Sequence, residues 1–151
     1  MKIVIDADAC PRAVLQTCFS LGKKYALPVW TVASFEHCID SENHLIVGND
    51  PQASDIKLMN ITEAGDIAVT QDWGLAAMLL GKRVRCLNPA GRLYDKGKID
   101  FMLEERNLKF RHRRGGGRTR GPRKRSREQD HKFAAILERA IQEQLAIDID
   151  S

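Results

Sequence analysis

The chain has 151 residues, of which 43% are hydrophobic and 29% are charged, a composition typical of one soluble globular domain. No stretch of the sequence approaches the length of a membrane span, and Asp6 and Asp8 interrupt the N-terminus where a signal peptide needs an apolar run. These features speak against a membrane-spanning or exported protein. We therefore expect a cytoplasmic one.

The net charge of +4 conceals an uneven distribution of basic residues. Ten Lys and Arg residues and no acid lie between Lys109 and Arg127. Taking these ten from the total of 24 leaves 14 basic residues against 20 acidic ones, so the rest of the chain has a net charge of −6. An acidic body with a basic segment favours a polyanionic partner such as RNA. The alternative is a solvated loop that only keeps the protein soluble.

The apolar pattern predicts strands that alternate with helices. The short β-branched run at 3–5 reads as a strand and ends in Asp6-Ala7-Asp8, and an amphipathic helix follows from Pro11 to Ala26. Further along the chain, the predicted strands are 28–33, 45–47, 66–70 and 84–87, and the predicted helices are 53–64, 73–80, 98–108 and 128–147. This alternation predicts an α/β fold with a mostly parallel sheet and helices on both faces.

The segment 109–127 contains Gly115-Gly116-Gly117 and Gly121-Pro122, which predicts a mobile basic loop. The helix after it carries Phe133, Leu137 and Ile141 on one face. We expect that face to pack against the core. The whole chain then forms a single domain with a basic loop and a C-terminal helix.

Aspartates follow two of the predicted strands. Asp6 and Asp8 follow the first strand, and Asp72 follows the fourth, after Thr70 and Gln71, which could support it through hydrogen bonds. Ligands of open α/β sheets bind at the carboxyl ends of the strands, and we expect these acids to meet there around a divalent metal. Each has an alternative role, since Asp8 and Asp72 could cap helices and Asp55 could be a favourable charge in a first helical turn.

Carboxylates bind Mg²⁺ and Mn²⁺, because these ions prefer hard oxygen ligands. Such ions activate water and neutralise charge on a phosphoryl group. The histidines show no ligand spacing and are expected at the surface or in loops: His37, His44, His112 and His131. The four cysteines show no CxxC spacing and are expected to be free, buried thiols. Cys10 lies beside the acids, and we assign it a structural role.

Several segments of the sequence resemble the uncharacterised bacterial YaiI/YqxD family. They are IDADACPR at 5–12, ASDI at 53–56, DIAVTQDWGLA at 66–76 and RRGGGRTRGP at 113–122. DHKF at 130–133 is similar to that family's aspartate before a C-terminal helix. The resemblance covers nearly the full chain, and its DADACP and TQD motifs are specific.

The resemblance implies a PIN-like fold, and many proteins with that fold are metal-dependent ribonucleases. The acids that correspond to the usual PIN acids are Asp6, Asp55 and Asp72, and with Asp8 they would form the metal site. The leading hypothesis is therefore a Mg²⁺- or Mn²⁺-dependent phosphodiesterase that acts on RNA. The residues expected to bind the RNA are Arg111, Arg113, Arg114, Arg118, Arg120, Arg123, Lys124 and Arg125.

Two other functions fit the sequence. The first is a non-catalytic RNA-binding module with a structural metal site. The second is a phosphatase of the haloacid-dehalogenase type with Asp6 as the nucleophile and Asp8 as the acid. That chemistry also needs an acidic pair after a later strand, and the fifth strand ends in Cys86-Leu87-Asn88-Pro89 without acids.

Overall fold

The computed structural model describes residues 1–8, 10–34, 43–48, 51–97 and 125–150. Its strands are β1 (Ile3–Asp6), β2 (Val29–Ser34), β3 (His44–Val47), β4 (Ile67–Val69), β5 (Arg85–Asn88) and β6 (Arg92–Leu93). Its helices are α1 (Arg12–Lys24), α2 (Pro51–Ile61), α3 (Trp73–Gly81) and α4 (Arg127–Asp150).

The six strands form one sheet in the order β3-β2-β1-β4-β5-β6. All neighbouring strands run parallel except β5 and β6, which are antiparallel. The predicted α/β class with a mostly parallel sheet is confirmed. The sequence did not predict β6, because a strand of two residues is too short to show a periodic pattern.

Side chains of β1 alternate between two hydrophobic cores, one on each face of the sheet. Ile3 and Ile5 pack with α1 and α4 on the first face, and Val4 packs with α2 and α3 on the second. Continuous burial of a strand is typical of a parallel sheet that is covered on both sides. Asp6 is the last residue of this strand and lies at the carboxyl edge of the sheet.

The C-terminal helix packs on the first core, as predicted. Phe133, Leu137 and Ile141 are fully buried, and Lys24 of α1 forms a 2.6 Å ion pair with Glu138. The helix is longer than its predicted range of 128–147. It begins at Arg127, one residue before the predicted start at about 128, and ends at Asp150. The predicted helix 98–108 and the basic residues up to 124 lie outside the described residues.

The turn after β5 brings the first turns of α4 to the carboxyl edge of the sheet. Gly91 has φ +86°, and a Cβ atom added to it would lie 2.9 Å from both the Lys132 Cγ and the Phe133 backbone nitrogen. Only glycine adopts this conformation without strain and leaves room for the helix. Asn88, the last residue of β5, therefore lies close to the start of α4.

The opposite, amino edge of the sheet carries a buried ion pair. Asp66 is 3% exposed, and its carboxylate accepts hydrogen bonds from the Lys2 ammonium at 2.6 Å, the Lys2 backbone nitrogen at 3.1 Å and the Glu63 backbone nitrogen at 2.8 Å. These contacts satisfy the charge of Asp66 where it is buried. In the sequence, Asp66 lies at the start of a predicted strand, whereas Asp6 and Asp72 follow the ends of strands. The structure accordingly places Asp66 at the opposite edge of the sheet from those acids.

Among the described residues, no helix combines the length and the apolar character needed to cross a membrane.

Candidate active site

Asp6 and Asp72 come together through the side chain of Thr70. The Thr70 hydroxyl donates a 3.0 Å hydrogen bond to Asp6 Oδ2 and accepts a 3.0 Å hydrogen bond from the backbone nitrogen of Asp72. Thr70 is 2% exposed and follows β4, the neighbour of β1 in the sheet. Because two parallel strands end side by side, one buried hydroxyl connects the two acids.

Asp72 also caps α3. Its Oδ1 accepts a 3.1 Å hydrogen bond from the backbone nitrogen of Leu75, three residues further on. The capping role that the sequence allowed is therefore confirmed, and it fixes the carboxylate at the start of the helix. The predicted support of Asp72 by Gln71, whose side chain is exposed, stays a prediction.

Asp8 does not cap α1, so that alternative was wrong. Pro11 stands at the N-cap position of α1 without a side-chain capping hydrogen bond. Asp8 Oδ1 accepts hydrogen bonds from the Ser34 backbone nitrogen at 2.8 Å and the Ser34 hydroxyl at 3.1 Å, and its Oδ2 lies 3.5 Å from the Ser54 hydroxyl. Asp8 thus connects the end of β2 to α2, a role that the sequence did not predict.

Asp55 lies in the second turn of α2, because this helix begins at Pro51 rather than at residue 53. Proline is well suited to a first helical position, which explains the earlier start. The interpretation of Asp55 as a favourable first-turn charge was therefore wrong. Ser54, its neighbour in the helix, is buried and lies near Asp8, and Asp55 itself forms a side-chain hydrogen bond with Asp72.

Burial and neighbouring carboxylates raise the pKa values of Asp6 and Asp55. Burial raises the pKa of Asp6 to about 6, the hydrogen bond from Thr70 opposes this rise, and the charges of Asp55, Asp8 and Asp72 add to it. The pKa of Asp55 is raised by burial, by the charge of Asp72 and by a side-chain hydrogen bond with Asp72. Clustered carboxylates with raised pKa values are typical of functional sites.

The donors of this cluster have the chemistry that a hard divalent cation requires, since each is a carboxylate. Within the described part of the chain, however, no three or more His, Cys, Asp or Glu side chains are spaced to hold a metal ion as they stand. The acids therefore provide charge and donor atoms, but not a closed set of ligands.

The sequence also singles out Cys10 and the histidines. Cys10 is half-buried, and burial and the charge of Asp6 raise the pKa of its thiol to about 12, which keeps it protonated and agrees with a structural role. His44 begins β3, and its Nδ1 lies 2.6 Å from the Thr31 hydroxyl. His44 is half-buried on this edge strand rather than in a loop, whereas His131 is exposed on α4, as expected; His37 and His112 lie outside the described residues.

Tyr94 contacts the backbone of Thr70, the residue that connects Asp6 and Asp72. Its hydroxyl donates a 3.0 Å hydrogen bond to the Thr70 carbonyl and accepts a 3.2 Å hydrogen bond from the Asn88 side chain. Its ring makes an edge-to-face contact with Trp73 at a centroid distance of 5.4 Å. Sequence reasoning missed Tyr94, because nothing in the local pattern shows that a residue 24 positions after Thr70 contacts its backbone.

One of the predicted RNA-binding residues lies among the described ones. Arg125 precedes α4, and its Nε forms an ion pair with Asp130 in that helix. Its charge lowers the pKa of the Cys10 thiol, against the larger effects of burial and of the charge of Asp6. The other predicted RNA-binding residues, from Arg111 to Lys124, lie outside the described residues.

The fold and the site define an α/β protein with a carboxylate cluster at the carboxyl edge of a mostly parallel sheet. The chain belongs to the uncharacterised YaiI/YqxD family, whose model, "Uncharacterized BCR, YaiI/YqxD family", matches residues 4–143. The resemblance seen in the sequence is confirmed. The PIN-like character of the fold stays a prediction.

Similar proteins of this family occur in other bacteria. A UPF0178 protein of Heliobacterium modesticaldum is 62% identical over 143 residues, which cover 95% of this chain and 98% of that protein. UPF0178 proteins of Alkaliphilus metalliredigens and Ruminiclostridium cellulolyticum are 40% and 42% identical, with 96% and 91% of this chain covered and 94% and 90% of theirs. No solved structure matches the chain.

Proposed function

We propose that the protein is a divalent-metal-dependent phosphodiesterase that acts on RNA. The observation that carries this proposal is the clustering of four aspartates at one edge of the sheet, where burial, and to a smaller extent the charges of Asp55, Asp8 and Asp72, raise the pKa of Asp6 to about 6. Because the folded protein raises the pKa of Asp6, ionisation of this carboxyl lowers the free energy of unfolding. A loss of stability at a cluster of polar residues is typical of a functional site. A bound divalent cation would neutralise this charge.

Asp6, Asp55 and Asp72 would hold Mg²⁺ or Mn²⁺, because they come from three different elements and carry oxygen donors that these ions prefer. Magnesium sites often use one or two carboxylates and complete the ligand set with water and substrate phosphate oxygens. When bound, such an ion supplies an activated water and charge neutralisation at the phosphoryl group.

The other residues of the site position these acids. Thr70 holds Asp6 by a hydrogen bond and fixes the backbone at Asp72, while Asp8 holds the end of β2 against α2. Asp6 is ionised above a pH of about 6, and the ionised carboxylate is the form that would hold the cation. Asp8 adds negative charge to the cluster and connects it to the serines.

RNA is the proposed substrate because of the basic segment at 109–127. Ten cations without an acid provide phosphate contacts that do not depend on sequence. The haloacid-dehalogenase alternative receives no support from the geometry of Asp8. Its Oδ1 accepts two hydrogen bonds from Ser34, so this oxygen is already engaged within the protein rather than free to act on a leaving group.

The test is the cleavage of a labelled single-stranded RNA with Mn²⁺ by the wild-type protein and by the Asp6→Asn/Asp72→Asn variant. Asparagine at position 72 can still cap α3, so the variant should fold. Glu63→Gln, which changes a side chain that is 83% exposed at the opposite edge, is the control.

We expect cleavage by the wild type and by Glu63→Gln, and its loss in the double variant and in EDTA. Equal cleavage by the double variant would contradict the proposal. Binding of RNA without cleavage by the wild type would favour the non-catalytic RNA-binding module instead.

A further inference from the structure

An aromatic pair lies beside the acid cluster, at the start of α3. Trp73 follows Asp72, and its ring makes an edge-to-face contact with the ring of Tyr94 at a centroid distance of 5.4 Å and an interplanar angle of 81°. Tyr94 is 2% exposed, and its hydroxyl donates a 3.0 Å hydrogen bond to the Thr70 carbonyl. The indole of Trp73 therefore lies against a fixed, buried ring, one residue from an acid of the proposed metal site.

The indole of Trp73 has a face that a ligand can use. In an edge-to-face pair the edge of one ring meets a face of the other, so the contact with Tyr94 covers at most one of the two indole faces. Trp73 is half-buried, so part of its ring reaches solvent. Its backbone is held in place because Asp72, the N-cap residue, accepts a hydrogen bond from the Leu75 backbone nitrogen. A fixed aromatic ring that is partly open to solvent is suited to stacking on a nucleobase.

Arg92 lies on the same face of the sheet as Tyr94. It is directly opposite Asn88 in the antiparallel pair of β5 and β6, and residues directly opposite each other have their side chains on one face. The Asn88 side chain donates a 3.2 Å hydrogen bond to the Tyr94 hydroxyl, so this face is the one that carries the aromatic pair. Arg92 is exposed, and its partner Asn88 is the last residue of β5. Arg92 is therefore a cation at the carboxyl edge of the sheet.

The strand order places the acids and Arg92 along one edge. β4 is followed by Thr70 and Asp72, β5 lies next to it, and β6 begins with Arg92 on the far side of β5. Neighbouring strands are about 4.8 Å apart, so β6 lies about 10 Å from β4. The carboxylates, the indole and the guanidinium thus lie within the length of a short nucleic-acid strand.

We propose that Trp73 and Arg92 form a nucleotide subsite beside the aspartates, in which the indole stacks on an unpaired base and the guanidinium contacts a phosphate of the same strand. The proposal rests on the proposed function, because it assumes that an RNA strand occupies the acid edge. It also names the substrate class as single-stranded RNA, since the bases of a duplex are stacked on one another and do not reach a side chain.

The first experiment measures binding separately from chemistry, by fluorescence anisotropy in EDTA. One ligand is a labelled single-stranded RNA decamer, and the other is a strand of abasic tetrahydrofuran spacers with the same number of phosphates. The proteins are the wild type, Trp73→Leu, Arg92→Gln and Arg83→Gln. Arg83 is exposed in the turn before β5, so its variant removes one positive charge at the opposite edge of the sheet.

We expect Trp73→Leu to weaken binding of the decamer by about tenfold, as the loss of one stacked base does, and to leave binding of the spacer strand unchanged. If Trp73→Leu weakens the binding of both strands equally, the stacking role is overturned. No binding of the decamer by the wild type would overturn the whole subsite.

Arg92→Gln should weaken the binding of both strands by a similar factor, because both carry phosphates. The slope of log affinity against log salt should fall in magnitude by about 0.7, the value for one phosphate contact on a single strand. Arg83→Gln should leave this slope unchanged. The same slope in Arg92→Gln and Arg83→Gln would overturn the role of Arg92.

Intrinsic fluorescence tests the stack without changing Trp73. The sequence has two tryptophans, and the other, Trp30, lies opposite Val4 in the amino half of β2. In Trp30→Phe and in EDTA, the decamer should quench the emission of Trp73 with the affinity that anisotropy gives, and the spacer strand should not, because only the decamer carries bases. Unchanged emission with saturating decamer would overturn the stacking role, even if Trp73→Leu does not fold.

Cleavage with Mn²⁺ separates this proposal from the proposed function. Trp73→Leu should raise the KM for the single-stranded decamer by about tenfold and keep kcat, and the wild type should cleave the decamer more slowly when it is paired in a duplex. Cleavage with the same KM in the wild type and Trp73→Leu would overturn the subsite alone. Binding that depends on Trp73, without cleavage by the wild type, would overturn the proposed function alone.

Discussion

The aspartates at the two edges of the sheet have opposite electrostatic surroundings, cationic at Asp66 and anionic at Asp6. At the amino edge, the carboxylate of Asp66 faces the Lys2 ammonium and two backbone N–H groups. At the carboxyl edge, Asp6 accepts a hydrogen bond from Thr70 and lies near the charges of three other aspartates. Asp66 is therefore expected to contribute to stability, whereas Asp6 opposes it at neutral pH, which agrees with the cation site that we propose for the second edge.

The largest expected effect is at the amino edge. Asp66→Asn leaves the Lys2 ammonium, whose side chain is only 18% exposed, without its carboxylate, and we expect a loss of about 3 kcal/mol in the free energy of unfolding. Glu63→Gln, which removes a 3.9 Å exposed contact to the same ammonium, should cost less than about 0.5 kcal/mol. Urea unfolding measures the free energy of unfolding of both variants. Equal losses in the two variants would show that the buried ion pair does not cause the loss in Asp66→Asn.

The opposite sign is expected for Asp6→Asn. Since the folded protein raises the pKa of Asp6 from 3.8 to about 6, the folded state binds more protons, and the wild type loses stability as the pH rises from about 4 to about 6. Asp6→Asn should therefore be more stable at pH 7.5 by up to about 3 kcal/mol, and its advantage should vanish below about pH 4.

Thermal unfolding of the wild type and Asp6→Asn from pH 4 to pH 7.5 measures this difference. Asp66→Asn is the comparison at each pH, because it removes the same charge at the other edge. If Asp6→Asn is less stable than the wild type at pH 7.5, the prediction is contradicted, because the ionised Asp6 would then stabilise the folded protein.

A smaller effect is expected at Thr70, which connects the two acids. Thr70→Val removes the hydrogen bond that lowers the pKa of Asp6, so this pKa should rise above about 6, and the protein should lose about 1 kcal/mol of stability. Thr70→Ser keeps the hydroxyl and should change little. Carboxyl ¹³C NMR titration of Asp6 measures the pKa, and an unchanged value in Thr70→Val would contradict the direct contact.

The sequence predicts the meeting of Asp6 and Asp72 because a parallel sheet aligns the ends of neighbouring strands. The apolar runs 3–5 and 67–69 are strong signals, and the acids after them are local features of the sequence. The partners of Asp8 are different: Ser34 and Ser54 lie 26 and 46 residues away, and no periodic pattern connects them.

The start of α2 shows how a small error in a helix boundary changes the interpretation of a site residue. Moving that start from 53 to Pro51 takes Asp55 from the first turn to the second, where a favourable interaction with the helix terminus no longer explains it. Likewise, the pairing of Arg125 with Asp130 depends on the capping geometry of α4, which the basic composition of the segment does not reveal.

We propose that the carboxyl edge of the sheet binds a divalent cation and that the amino edge does not. Calorimetric titration of Mn²⁺ into the wild type, the Asp6→Asn/Asp72→Asn variant and Asp66→Asn, each confirmed to be folded, tests this proposal. We expect binding by the wild type and by Asp66→Asn, and its loss in the double variant. Binding that survives in the double variant, or no binding by the wild type, would contradict it.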